Sequence, residues 1–203
     1  MNKDKMFSSA MKINKLLNFV IGVNIFLFIG FIAIITWASF MPEQSFSVEK
    51  GIGHWSLSFD FSNSASFSAL VPFSILQPIS ETIFSAKTAF LTFYISLGFI
   101  YFPLFIYGLL IVQEIVISTI KEESPFNNIN AQRIKKIAYL LIGYSLFSDL
   151  LINFFMYVFV TNIFLLNISN VSFNGFVIGA VMLLIAHIFR YGSFLQQEHD
   201  ETI

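Results

Sequence analysis

The chain contains no cysteine. That excludes disulfides, thiol nucleophiles, lipids attached through cysteine and cysteine-ligated metals. Charge is almost as scarce. Only 11% of the 203 residues are charged, against about 25% in a typical soluble domain. So few charges do not cover a water-facing surface, and a soluble enzyme is not expected. The net charge of -1 gives no case for direct nucleic-acid binding by the chain as a whole. The histidines His54, His187 and His199 do not cluster. There is no H-E-x-x-H, P-loop or G-x-S-x-G, and no serine has a histidine at a plausible depth. Neither an enzyme nor a resident cofactor or metal is expected.

What is present is apolar. The chain is 56% hydrophobic, with 27 phenylalanines and a mean hydropathy of +0.77. Four stretches are long enough to cross a bilayer, which takes roughly 20 mostly apolar residues. They occupy residues 16–40, 83–120 with an inner extension, 137–166 and 173–190. Each is apolar all round, the pattern of a lipid-embedded helix rather than of a soluble surface helix. The expected fold is therefore an all-α, four-transmembrane-helix bundle in one membrane domain. The first span follows a basic segment, residues 1–15, and exceeds the 7–15 apolar residues of a cleavable signal. It reads as a retained anchor.

Orientation follows from the basic residues. Lys3, Lys5, Lys12, Lys15, Lys121, Arg133, Lys135, Lys136 and Arg190 fall on one side of this layout, and only Lys50 and Lys87 on the other. Both termini are expected in the cytoplasm. The outer loop, 41–82, contains HWSLSFDFS, in which Trp55, Leu57, Phe59 and Phe61 alternate with Ser56, Ser58, Asp60 and Ser62. After Asn63-Ser64 the alternation resumes at Phe67, Ala69 and Val71. Period two on both sides of a polar turn predicts a β-hairpin, read as a structural lid, with a sensor or ligand cap as the alternative. The second outer loop, 167–172, is short and holds two N-x-S sequons at Asn167 and Asn170.

The inner loop, 121–136, runs KEESPFNNINAQRIKK. Pro125 ends the second helix, and Asn128 or Asn130 is expected to cap the third. Arg133, Lys135 and Lys136 then lie where anionic headgroups begin. The tail, 191–203, carries Glu198, Asp200 and Glu201 and no basic residue. Topology does not require these acids, so the tail reads either as a docking strip for a basic partner or as a pairing partner of the inner loop.

Ionisable groups within a bilayer are costly and are functional candidates. Asp149 is the deepest. Ser145, Ser148, Asp149 and Asn153 share one side of the third helix at i, i+3, i+4 and i+8. Asn24 and Tyr107 lie at a similar depth, and either is a candidate to hydrogen-bond Asp149. Glu114 and His187 both lie near the inner leaflet and would pair if the second and fourth helices touch. The bland reading of all seven polar residues is interhelical glue; the sharper one is a proton or cation path. Gly175 and Gly179 form a G-x-x-x-G that allows close helix approach within the bundle or in a homo-oligomer.

Two stretches carry a resemblance. ESPFNNINAQRIKKIAYLLIG, through Pro125, Phe126, Asn130, Arg133 and Ile134, resembles the inner loop of a family of bacterial four-span membrane proteins of unknown function. IFRYGSFLQQEHDETI, through Phe189, Gly192, Leu195, Glu198, Asp200, Thr202 and Ile203, resembles that family's ending. Members are often encoded beside a Cro/repressor-type helix-turn-helix regulator. The resemblance therefore implies a multi-pass protein of the bacterial inner membrane with a regulatory or sensory role. Its partner-docking residues would be Pro125, Phe126, Asn130, Arg133, Lys136, Glu198, Asp200 and Glu201. A small transporter using Asp149 and an immunity or envelope-stress protein are the competing expectations.

Overall fold

The structure, a computed structural model, describes residues 3–62, 65–77, 84–122, 126–163 and 173–201, and of residues 3–6, 122 and 199–201 the backbone alone. Four long helices dominate: α1 (Lys3–Phe40), α2 (Ala86–Glu122), α3 (Asn128–Met156) and α4 (Phe173–Glu201). Between α1 and α2 lie three strands, β1 (Phe46–Lys50), β2 (His54–Ser62) and β3 (Ala65–Pro72). The apolar spans within the helices cover 34, 36, 34 and 26 residues. At a rise of about 1.5 Å per residue each is long enough to cross the roughly 30 Å hydrocarbon layer. These helices leave large apolar side chains uncovered, such as Phe26 at 74% and Phe40 at 83% exposure. In water such a surface would associate; against lipid it costs nothing. This is the build of a multi-pass membrane protein.

Helix ends show local rules at work. The cap of α3 is Asn127, not the expected Asn128 or Asn130. Its Oδ1 accepts the Asn130 backbone N–H at 2.6 Å, the usual reach from a cap to the third helical residue. At its other end α3 passes into a π-helical turn, Tyr157–Thr161, closed by Asn162 at φ 54°. Asparagine is one of the few residues that tolerates this left-handed conformation. α4 does not stop at Arg190 but runs on to Glu201.

The chain divides into two compact units. The first comprises residues 1–27, 102–145 and 172–203, and the second residues 28–101 and 146–171. In the second unit the three strands form an antiparallel meander, β1-β2-β3. The predicted hairpin is β2 and β3; β1 is an additional strand. Register places Phe46 opposite Phe59 and Val48 opposite Leu57. It continues with Phe59 opposite Phe67, Leu57 opposite Ala69 and Trp55 opposite Val71. One face is thus apolar across all three strands, and Trp55, Leu57 and Val71 are fully buried on it. Phe61 departs from the alternation and is exposed, because the ladder is irregular between Asp60 and Ser62.

That face packs on Ile35 and Ala38 of α1, on Ala89, Phe90, Phe93 and Tyr94 of α2, and on Ile152 and Met156 beyond the middle of α3. Aromatic rings make much of this contact. Phe46 stacks on Phe59 at 4.8 Å and meets Phe90 edge-on at 5.5 Å. Trp55 meets Phe73 and Phe84 edge-on at 5.8 and 5.5 Å. Its indole N–H donates to the Gln77 carbonyl at 2.9 Å, so the one polar atom of this ring is satisfied. Lys87 donates to the Met41 carbonyl at 2.7 Å, tying the start of α2 to the end of α1.

Candidate functional site

In the first unit, side-chain hydrogen bonds connect the helices. Gln113 of α2 donates to Asn14 and Asn18 of α1 at 3.2 and 2.6 Å. These two acceptors are four residues apart, so one helical face offers both. Asn127, while capping α3, donates to Ser118 of α2 at 2.9 Å. Arg133 of α3 donates from Nε to Glu114 Oε2 of α2 at 3.0 Å and from Nη1 to the Asn130 side chain at 3.0 Å. A longer bond, 3.3 Å, runs from Nη1 to the Glu114 carbonyl. The planar guanidinium satisfies three acceptors at once, which a lysine at this position does not.

These bonds correct several expectations. Glu114 pairs with Arg133 rather than with His187, and both Glu114 and His187 are exposed rather than buried. His187 Nδ1 lies 3.0 Å from the Leu183 carbonyl one turn back in its own helix. Arg133 is withdrawn from any headgroup by its bonds to Glu114 and Asn130. Asn130 has 0% exposure and is part of the frame, not of a docking surface. Lys136 and Glu198 are exposed and Phe126 is 42% exposed. Pro125, Thr202 and Ile203 lie outside the described residues, as do Asn167 and Asn170 and the side chains of Asp200 and Glu201.

The polar groups in the spans likewise take partners close at hand. The Asn24 amide donates to the Val20 carbonyl of its own helix at 2.9 Å. Asp149, half-buried, accepts a hydrogen bond from the neighbouring Ser148. Tyr107 is not buried but 48% exposed. Ser145, Ser148 and Asn153 are buried, as their helical spacing predicts. Asn153 donates to the carbonyls of Ser74 and Ile75 at 3.1 and 3.2 Å, holding the chain that follows β3. Among the described residues no group of three or more acidic or histidine side chains is placed to hold a metal ion.

Phe126, just before α3, packs on the end of α4. The ring of Phe126 lies 5.0 Å from that of Phe189. A Cβ added at Gly192 would come within 2.9 Å of Phe126 Cδ1, so glycine is what lets the ring settle there. Higher on the same pair of helices, a Cβ at Gly179 would meet Ile142 of α3 at 2.5 Å. This half of the G-x-x-x-G thus serves packing of α4 on α3. Gly175 is partly buried.

α3 and α4 leave a cavity of about 350 Å³. Asn128, Ala131, Gln132 and Lys135 line it from α3, and Ala186, His187 and Arg190 from α4. The two alanines are buried and the five polar residues are exposed. Sequence reasoning missed this site because it requires knowing that these two helix faces meet. In the second unit a cavity of about 470 Å³ is lined by Thr92, Ile95, Ser96 and Phe99 of α2 and by Phe155 and Phe159. Its lining is almost wholly apolar and offers no chemistry beyond acceptance of an apolar group.

Four helices long and apolar enough to cross a membrane place the chain in the class of multi-pass membrane proteins. The chain belongs to the family described as protein of unknown function, DUF2975, whose model matches residues 71–203. No curated protein and no solved structure shows significant similarity to it.

Proposed function

We propose that this chain is a non-enzymatic regulatory protein of the bacterial inner membrane, with both termini in the cytoplasm. Its inner face would dock a cytosolic helix-turn-helix regulator. The orientation is supported by the division of the chain. All nine basic residues assigned to the inner side belong to the first unit, and Lys50 and Lys87 belong to the second. Excess lysine and arginine mark the cytoplasmic side of short-looped membrane proteins.

One observation carries the docking role: Phe126 packs against Phe189 and Gly192. The two stretches that resemble the family's recurring motifs thereby become parts of one platform. α4 extends this platform past Arg190 as a helix with Tyr191, Phe194 and Leu195 exposed and Glu198 beyond them. An exposed aromatic-aliphatic rim followed by acidic residues suits a basic, partly apolar partner surface.

The test is to truncate the chain after Leu195 and recover the neighbouring regulator from detergent extracts. The full chain should retain it and the truncated chain should lose it. Equal recovery from both would remove the acidic end from the docking surface.

A further inference from the structure

The cavity between α3 and α4 has an electrostatic character that the docking surface does not use. Two cationic side chains, Lys135 and Arg190, line it from opposite helices, together with His187. Arg133, two residues before Lys135, is neutralised by Glu114. Among the described residues neither Lys135 nor Arg190 has a carboxylate partner. The Lys135 ammonium lies over the ring of Tyr139, 5.6 Å from its centre. Asn128 and Gln132 add amide donors at the rim. The floor is Ala131 and Ala186, so no side chain fills the space between the two helices. Two unpaired cations, amide donors and an open volume are complementary to an anion of more than one oxygen.

The position along the helices narrows the ligand. Lys135 stands just before the apolar run that begins at Ile137, and Arg190 just after the run that ends at Phe189. Next to the polar lining, Tyr139 on α3 and Leu184 and Ile188 on α4 are 56%, 66% and 63% exposed. Leu184 precedes His187 by three residues and Tyr139 follows Lys135 by four, so each lies one turn further into the apolar zone on the same face. A group bound at the cations would have apolar side chains beneath it on both helices. That is the layout of a headgroup joined to acyl chains.

We propose that Lys135, Arg190 and the amides of Asn128 and Gln132 form a phosphate-binding site, occupied by the headgroup of an anionic phospholipid or by a free phosphate-bearing molecule. The lipid source rests on the membrane orientation proposed above, whereas phosphate recognition itself does not. The site is separate from the acidic end of α4, so truncation after Leu195 should leave it intact. Failure of the docking reading and failure of this one are therefore distinguishable.

The experiment uses the full chain in a non-ionic detergent and phosphate-free buffer. Binding of phosphatidylglycerol, of phosphatidylcholine with the same acyl chains, and of inorganic phosphate is titrated by native mass spectrometry. Phosphatidylglycerol should bind more tightly than phosphatidylcholine. The double variant Lys135→Gln, Arg190→Gln should weaken phosphatidylglycerol by about thirtyfold, the effect of two basic residues near an anionic surface. Ala186→Leu, which keeps both charges but occupies the floor, should weaken it as well. Lys15→Gln, which removes a charge elsewhere in the same unit, should not. Tight phosphatidylglycerol binding that inorganic phosphate displaces only in large excess identifies the headgroup as the source. Phosphate binding as tightly as the lipid, and lost in the double variant, identifies a free phosphate ligand. Two results overturn the proposal. One is equal phosphatidylglycerol binding by the wild type and a folded double variant; the other is no preference for phosphatidylglycerol over phosphatidylcholine together with no phosphate binding.

Discussion

The two units of this chain are stabilised by different physics. In the second, a three-stranded sheet lays Phe46, Trp55, Leu57, Phe59 and Val71 on aromatic and aliphatic residues of the helices. In the first, besides the packing of Phe126 on Phe189 and of Gly179 against Ile142, the helices are linked by polar side chains: Gln113 with Asn14 and Asn18, Arg133 with Glu114, and Asn127 with Ser118. Burial of large rings is non-directional and individually strong. Hydrogen bonds and exposed ion pairs are directional and individually weak. The unit linked by oriented polar groups also holds nine of the eleven basic residues and the cavity lined by Lys135 and Arg190. That is why we propose recognition there.

This contrast has measurable consequences. Trp55→Ala removes a fully buried ring with edge contacts to Phe73 and Phe84 and a hydrogen bond to Gln77. It should cost about 3–5 kcal/mol, read as a large drop in the thermal midpoint of detergent-solubilised protein. Asn153→Ala leaves the Ser74 and Ile75 carbonyls without their donor. Its cost should be about 1–3 kcal/mol, with faster proteolysis at residues 73–77. Glu114→Gln weakens an ion pair whose carboxylate side chain is 59% exposed, so about 1 kcal/mol or less is expected. Chemical denaturation of the three variants ranks them directly. If Glu114→Gln destabilised the chain as much as Trp55→Ala, the contrast between the units would be wrong.

Much of the architecture was legible in the amino-acid order. The four spans stood out because uninterrupted apolar runs leave a bilayer as their best solvent. β2 and β3 stood out because nine residues of β2 alternate almost throughout. β1 did not, since FSVEK is five residues long and ends in two charges. The stripe Ser145, Ser148 and Asn153 follows from helical spacing alone, and all three are buried.

What sequence could not supply was the identity of neighbouring faces. Glu114 and His187 stand at similar depths, and charge alone made them a pair. The structure instead brings Arg133, with its three-acceptor geometry, to Glu114. Asn130 looked like part of a docking motif because a motif does not distinguish a residue that faces a partner from one that holds the frame. The cavity needed the same missing information. Its only trace in the sequence was an alanine within four residues of a cation on each helix, Ala131 before Lys135 and Ala186 before Arg190.

The central proposal is an orientation: both termini and residues 121–136 in the cytoplasm, and residues 41–82 outside. The absence of native cysteine permits a direct test. Single cysteines at Gln132 and Gln197 in the first unit, and at Ser68 on the sheet, are all at exposed positions. They are probed with a membrane-impermeant maleimide before and after permeabilising the inner membrane. Ser68→Cys should be labelled in intact cells, and Gln132→Cys and Gln197→Cys only after permeabilisation. Labelling of Gln132→Cys or Gln197→Cys in intact cells, with Ser68→Cys protected, would invert the orientation and contradict the account.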